Sequence, residues 1–262
     1  MLFRLMASRK NVCQEILRTL LDDEHLEVIE VNAQEEMISL FRSVVLDALC
    51  KLSDGRLCNI EMQKDDRGND IRRVRFHTSI ITANKTPKGT VFSNIPNVKV
   101  LYITTYDVLG NKQTVTHVSR CQRLGKEYLP INDGEDIILA NTEIDDGTNH
   151  SRLLKLFLKS ESFYDEMFPA LSEAMRYYKE TERGKIAVSE VTKQWKREGY
   201  EEGHADGIAE GISQGITQGI SQGLSQGIMS LLRKGKITVS DAAKELNISE
   251  EEVEKLLSVK TG

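Results

Sequence analysis

Apolar positions along this chain change their period from segment to segment, and each change predicts a different element. In residues 1–21, Leu5, Val12, Ile16, Leu17, Leu20 and Leu21 recur at helical spacing, which predicts one amphipathic helix packed on a sheet. Residues 26–31 and 36–43 read as short extended pieces. Over 44–64 the pattern alternates around Ser53-Asp54-Gly55, which predicts a β-hairpin. A two-residue Asp54-Gly55 turn would set Leu46 opposite Gln63 and Asp47 opposite Met62, mixing polar and apolar partners. A three-residue loop with Gly55 in the left-handed conformation sets Leu46 against Met62, Ala48 against Ile60 and Cys50 against Cys58. The opposite face then carries Val45 against Gln63, Asp47 against Glu61 and Leu49 against Asn59. A slip of one residue exchanges the two faces of a strand, so the register that separates apolar from polar is the expected one.

Residues 65–70 are a polar loop in which Asn69 or Asp70 caps a helix expected over 71–84. Turn residues follow from Gly89 to Pro96, and β-branched and aromatic residues over 98–106 predict a central strand. Residues 113–119 and 137–141 read as further strands. From Ser151 the periodicity is helical, with Leu153, Leu154, Phe157, Phe163, Met167, Leu171, Met175 and Tyr178 on apolar faces. Glycines at 199, 203, 207, 211, 215, 219, 223 and 227 then recur at every fourth position. In a helix each costs about 1 kcal/mol relative to alanine, and a period of four drifts by about 40° per repeat. A self-association stem and a flexible linker are both open for this stretch. Residues 228–262 have the length of a helix-turn-helix pair, but its second helix opens with Glu250, Glu251 and Glu252. That surface repels DNA, which favours packing or self-association.

Composition sharpens the picture in three places. A net charge of −5 means that any nucleic-acid contact must come from a local basic patch. Cys13, Cys50, Cys58 and Cys121 form no CxxC pair and read as reduced thiols. No signal peptide or run of 18 apolar residues is present, so the expectation is a cytoplasmic protein with no membrane partner.

The candidate chemistry sits on the hairpin. Like charges opposite each other destabilise a sheet, so Asp47 and Glu61 call for compensation. A divalent cation with hard oxygen ligands is one answer, and a solvated acidic pair is the other. On the next helix Arg73 and His77 are i,i+4 neighbours. They are either a wall that holds a phosphate or a solvated face that offsets Asp65, Asp66 and Asp70.

Asp47, followed on the next strand by Glu61-Met62-Gln63, resembles the PD-(D/E)XK nuclease superfamily. In particular it is similar to the recombination-promoting nuclease and transposase family, whose third motif ends in Glu-x-Gln instead of Glu-x-Lys. The similarity continues through Arg73-Val74-Arg75-Phe76-His77, Gly89, Phe92 and the stretch from Tyr102 to Asp107, over about the first half of the chain. The late glycine repeat is also typical of that family. The resemblance implies an α/β fold with a mixed central sheet flanked by helices, a restriction-endonuclease-like core, followed by a helical C-terminal extension. The expected divisions are a core at 1–150, helices at 151–198, the repeat at 199–228 as a route to a homo-oligomer, and a tail at 229–262.

It further implies a metal-dependent DNA endonuclease, with Asp47, Glu61 and Gln63 as the catalytic set. Mg²⁺ or Mn²⁺ would be held by Asp47, Glu61 and the Met62 carbonyl, and substrate phosphate by Arg73 and His77. The chain departs from its relatives in two places. They carry an arginine two residues before the aspartate, where this chain has Val45, and a segment before Phe3-Arg4-Leu5-Met6, where this sequence starts. The alternative reading is a weak or inactive nuclease fold that serves as an oligomeric binding module.

Overall fold

The amphipathic stretch at the start of the chain folds as two helices, α1 (Leu2–Ala7) and α2 (Lys10–Leu20). The single expected helix is broken at Ser8-Arg9. The Ser8 hydroxyl donates to the Leu5 carbonyl at 2.7 Å, and Arg9 turns to an extended backbone with φ −94° and ψ 123°. In the computed structural model residues 2–39, 43–64 and 71–258 are described. The polar loop at 65–70, with its two capping candidates, lies outside them.

After α2 come β1 (Val28–Ala33), β2 (Glu36–Met37), β3 (Val44–Val45), β4 (Ala48–Leu52) and β5 (Leu57–Gln63). The β4–β5 hairpin takes the three-residue loop. Lys51 faces Leu57, Cys50 faces Cys58, Leu49 faces Asn59 and Ala48 faces Ile60. Gly55 has φ +88°, the left-handed region that this loop requires.

Alternation alone overextends the first strand. The β4–β5 ladder stops at Ala48, and Val45 pairs with Glu36 in a separate two-stranded sheet, β2–β3, instead of facing Gln63. Leu46 and Asp47 form the joint between the two sheets. The Leu46 amide donates to the Glu35 carbonyl, and the Asp47 carbonyl accepts from Gln34, whose own φ is +55°. The joint turns Leu46 into the core on one face of the main sheet, while Met62 packs on the opposite face, so these two residues are not partners.

Helix α3 (Ile71–Lys85) returns the chain so that β6 (Val98–Thr104) lies parallel to β5, the crossover that a parallel pair needs. β7 (Val115–Val118), β8 (Cys121–Leu124), β9 (Glu127–Pro130) and β10 (Glu135–Asn141) follow, then α4 (Asn149–Leu156) and α5 (Pro169–Glu180). The main sheet has six strands in the order β1-β4-β5-β6-β10-β7, with β6 central and β5–β6–β10 parallel. One face carries Ala48, Cys50, Ile60, Leu101 and Ile138 against α1, α2, α4 and α5. The other carries Leu49, Val100, Tyr102 and Leu139 against Val74, Ile80 and Ile81 of α3. This is the mixed, helix-flanked α/β sheet expected from the sequence. The β8–β9 hairpin was not anticipated; its strands are exposed, so no buried face marks them.

The chain divides into two compact units, 1–192 and 193–262, with the boundary inside α6 (Glu182–Arg233). The glycine repeat is therefore helical. In the second unit, α7 (Val239–Leu246) and α8 (Glu250–Ser258) share a small core in which Ile228, Met229, Ala242, Ala243 and Val253 are buried. Thr238 and Asp241 form a capping box at the start of α7, and Asn247, with φ +51°, closes it.

Candidate functional site

The strand joint brings Asp47 beside the last residues of β5. Asp47 is 3 % exposed and Glu61 5 %, so both carboxylates are buried. Glu61 Oε1 accepts the backbone N–H of Asp47 at 3.1 Å and the Asn59 side-chain amide at 3.1 Å. In return, Asp47 Oδ2 accepts the Met62 backbone N–H at 3.0 Å. Each carboxylate thus fixes the backbone that carries its neighbour. The N–H and C=O of one strand residue point to the same side, so the Met62 carbonyl also points past the end of the β4–β5 ladder, toward Asp47.

The charges are only partly balanced. Arg4 on α1 donates its Nε to Asp47 Oδ1, an ion pair that reaches across 43 positions of sequence. Burial above all, and then the adjacent Glu61 charge, push the Asp47 carboxyl above its ordinary value of 3.8, while Arg4 and the Met62 amide act the other way. Direction and ion pair are compatible, because one partly exposed guanidinium does not offset both burial and a second carboxylate.

Of the residues expected to hold phosphate, His77 is 2 % exposed and faces Glu61 instead of solvent. Its Nδ1 lies 3.5 Å from Glu61 Oε1 and makes no hydrogen bond there. Arg73 is half-buried on the same helix, and its charge acts on the hydroxyl of Tyr102, the residue opposite Glu61 on β6. Gln63, two residues beyond Glu61, shares its face of β5 and is half-buried.

Two residues at the site had no role assigned from sequence. Asn59 is fully buried and orients Glu61; its position two residues before Glu61 on one strand face was the available signal. Arg4 left no signal, because its partner is remote in sequence.

Hard oxygen donors suit a Mg²⁺ or Mn²⁺ ion that keeps several waters, and two carboxylates with a backbone carbonyl provide them. Asn59 Oδ1 and His77 Nδ1 are buried without hydrogen-bond partners among the described residues, so polar capacity beside Glu61 is left for a ligand or water. Among the described residues no cluster of three or more His, Cys, Asp or Glu forms a fuller metal cage. These residues fit such an ion.

Comparison with known proteins agrees with this geometry. A family model described as PD-(D/E)XK nuclease family transposase matches residues 2–127, which run from α1 to the first residue of β9 and contain Arg4, Asp47, Asn59, Glu61, Gln63, Arg73 and His77. No curated protein matches the chain. Residues 2–127, a little under half of the chain, are thus similar to the PD-(D/E)XK nuclease family transposases, a similarity that implies a nuclease-like role associated with recombination or transposition.

Proposed function

We propose that the protein is a divalent-metal-dependent DNA endonuclease acting in recombination or transposition in the cytoplasm. The observation that carries this reading is the reciprocal bonding of Asp47 and Glu61, two buried carboxylates held side by side at the strand ends. Asp47, Glu61 and the Met62 carbonyl would hold Mg²⁺ or Mn²⁺, which would supply Lewis-acid chemistry to a phosphodiester and acidify a water. The chain's own residues do the rest. Asn59 keeps the Glu61 carboxylate turned toward Asp47. Gln63, in place of a lysine, orients the attacking water by a hydrogen bond but adds no charge. Arg4 partly offsets the Asp47 charge and would yield its place to the ion. Arg73, on the Glu61 flank of α3, adds positive charge near the site that favours a phosphate oxygen.

A thermal melt tests the metal site. Ion binding to the folded state alone raises the melting temperature by linkage, so Mg²⁺ stabilises the parent and not Glu61→Gln. Arg4→Gln lowers the metal-free melting temperature by the loss of about 2 kcal/mol of charged hydrogen bonding. It also enlarges the Mg²⁺ shift, because the ion no longer displaces a guanidinium. A parent that Mg²⁺ leaves unmoved supports the binding-module alternative.

The same reading includes self-association through 199–228. Ile208, Ile212, Ile216, Ile220 and Leu224 are 51–67 % exposed at four-residue spacing on α6. A methyl group added at Gly207 through Gly227 of the repeat would meet nothing within 4 Å, so that face is open to close approach. Sedimentation of the parent as an oligomer, and of Ile212→Ser/Ile216→Ser/Ile220→Ser as a monomer, is the expected result.

A further inference from the structure

The flank of α3 that faces away from Glu61 borders a groove of about 340 Å³. Arg72, Arg75 and Ser79 line it from the helix, and Arg120 lines it from the end of β7. Its floor is apolar, made by Ile71, Val118 and Ile137, and Glu135 is the single acid on its wall.

Glu135 is already engaged. It accepts the Thr78 hydroxyl at 2.7 Å and pairs with Arg120, which also pairs with Asp133 at 2.6 Å. Arg120 is thus held in position with its charge offset. Among the described residues no acid pairs with the guanidinium of Arg75, which is exposed. The first turn of α3 carries arginines and no acid, the reverse of what the N-terminal end of a helix dipole favours. An anion in the groove would meet the exposed Arg75 guanidinium. The groove has the capacity of a small-ligand pocket, and it pairs a cationic wall with an apolar floor.

We propose that this groove seats one nucleotide unit of a bound DNA strand, with its phosphate on Arg72 and Arg75 and its sugar and base on the floor of Ile71, Val118 and Ile137. The proposal rests on the DNA-directed reading above and adds a second contact point to it. Arg73 and His77 lie on the α3 flank next to β5, whereas the groove lies on the opposite flank, about 10 Å away across the helix. A strand crossing α3 reaches both. The groove is also the local basic patch that an acidic chain needs in order to hold DNA.

Salt-dependent binding tests it without cleavage. A fluorescein-labelled duplex oligonucleotide is titrated with the full chain in EDTA over a range of NaCl concentrations, comparing the parent with Arg75→Ala. Arg75 is exposed and makes no internal ion pair among the described residues, so the variant keeps the fold. Loss of one phosphate contact lowers the slope of log K against log salt by about 1 and weakens binding to unrelated sequences alike. An unchanged slope with binding intact overturns the groove and leaves the Asp47–Glu61 reading standing. A lowered slope in a protein with no Mg²⁺-dependent cleavage supports the groove and overturns that reading. Failure of the parent to bind the duplex overturns the groove as a DNA site.

Discussion

Asp47 is held by three groups with different consequences: the Arg4 guanidinium, the Met62 amide and, through its own backbone, the Glu61 carboxylate. Because its carboxyl is pushed up in the fold, the folded state keeps a proton that the unfolded chain releases near 3.8. Its contribution to stability is therefore fully present below that value and is lost as pH rises through the raised folded value. In EDTA at neutral pH, Asp47→Asn should melt above the parent, and the gap should close as the pH is brought down to about 4. A variant that melts below the parent at neutral pH would show that Arg4 outweighs burial and Glu61. The carboxylate pair was readable from sequence, because alternation around Gly55 sets the register and the motif names the residues. Arg4 was not readable, since a long-range ion pair imposes no period on either segment. The depth of His77 was not readable, because an i,i+4 relation with Arg73 identifies a shared flank but not how deep that flank sits.

At the scale of elements, the hairpin and the central strand β6 followed from turn chemistry and β-branched runs, both of which are local. The break at Leu46-Asp47 did not follow, because the change of pairing partner from β5 to β2 depends on where β1 and β2 lie. Nor did β8–β9, whose strands bury nothing. The α5–α6 corner shows a further constraint invisible to periodicity. Only Thr181 separates the helices; its hydroxyl accepts the Gly184 amide at 3.0 Å, and the Tyr177 carbonyl leaves no room for a side chain at Gly184. Gly184→Ala should cost about 1–3 kcal/mol by overpacking, despite alanine's better helix propensity. Denaturant titration reads the change, and a neutral or stabilising result would mean that the corner opens freely. The glycines of the repeat are in the opposite situation, with open space around those from Gly207 to Gly227.

For the molecule as a whole, the family match ends at residue 127, whereas the apolar contacts that cover the sheet continue to Tyr178 on α5. The helices after the matched stretch are thus part of what stabilises the unit that carries the site. Among the described residues no helix is long and apolar enough to cross a membrane. The mixed sheet brings Asp47 and Glu61 to neighbouring positions at one end of β4 and β5, and α3 separates that end from the arginine groove. Fold class was accessible from sequence because the motif residues on the hairpin carry a resemblance that implies a mixed, helix-flanked sheet. The balance of charge at the site was not, since it depends on side chains brought together from α1, β4, β5 and α3. The central claim is tested most directly by incubating supercoiled plasmid with the full chain and Mg²⁺, alongside Asp47→Ala and Glu61→Ala. Nicked or linear product is expected from the parent, none in EDTA, and a loss of at least about 100-fold in each variant, the scale of removing a group essential to the chemistry. Cleavage by both variants at the parent's rate would contradict it.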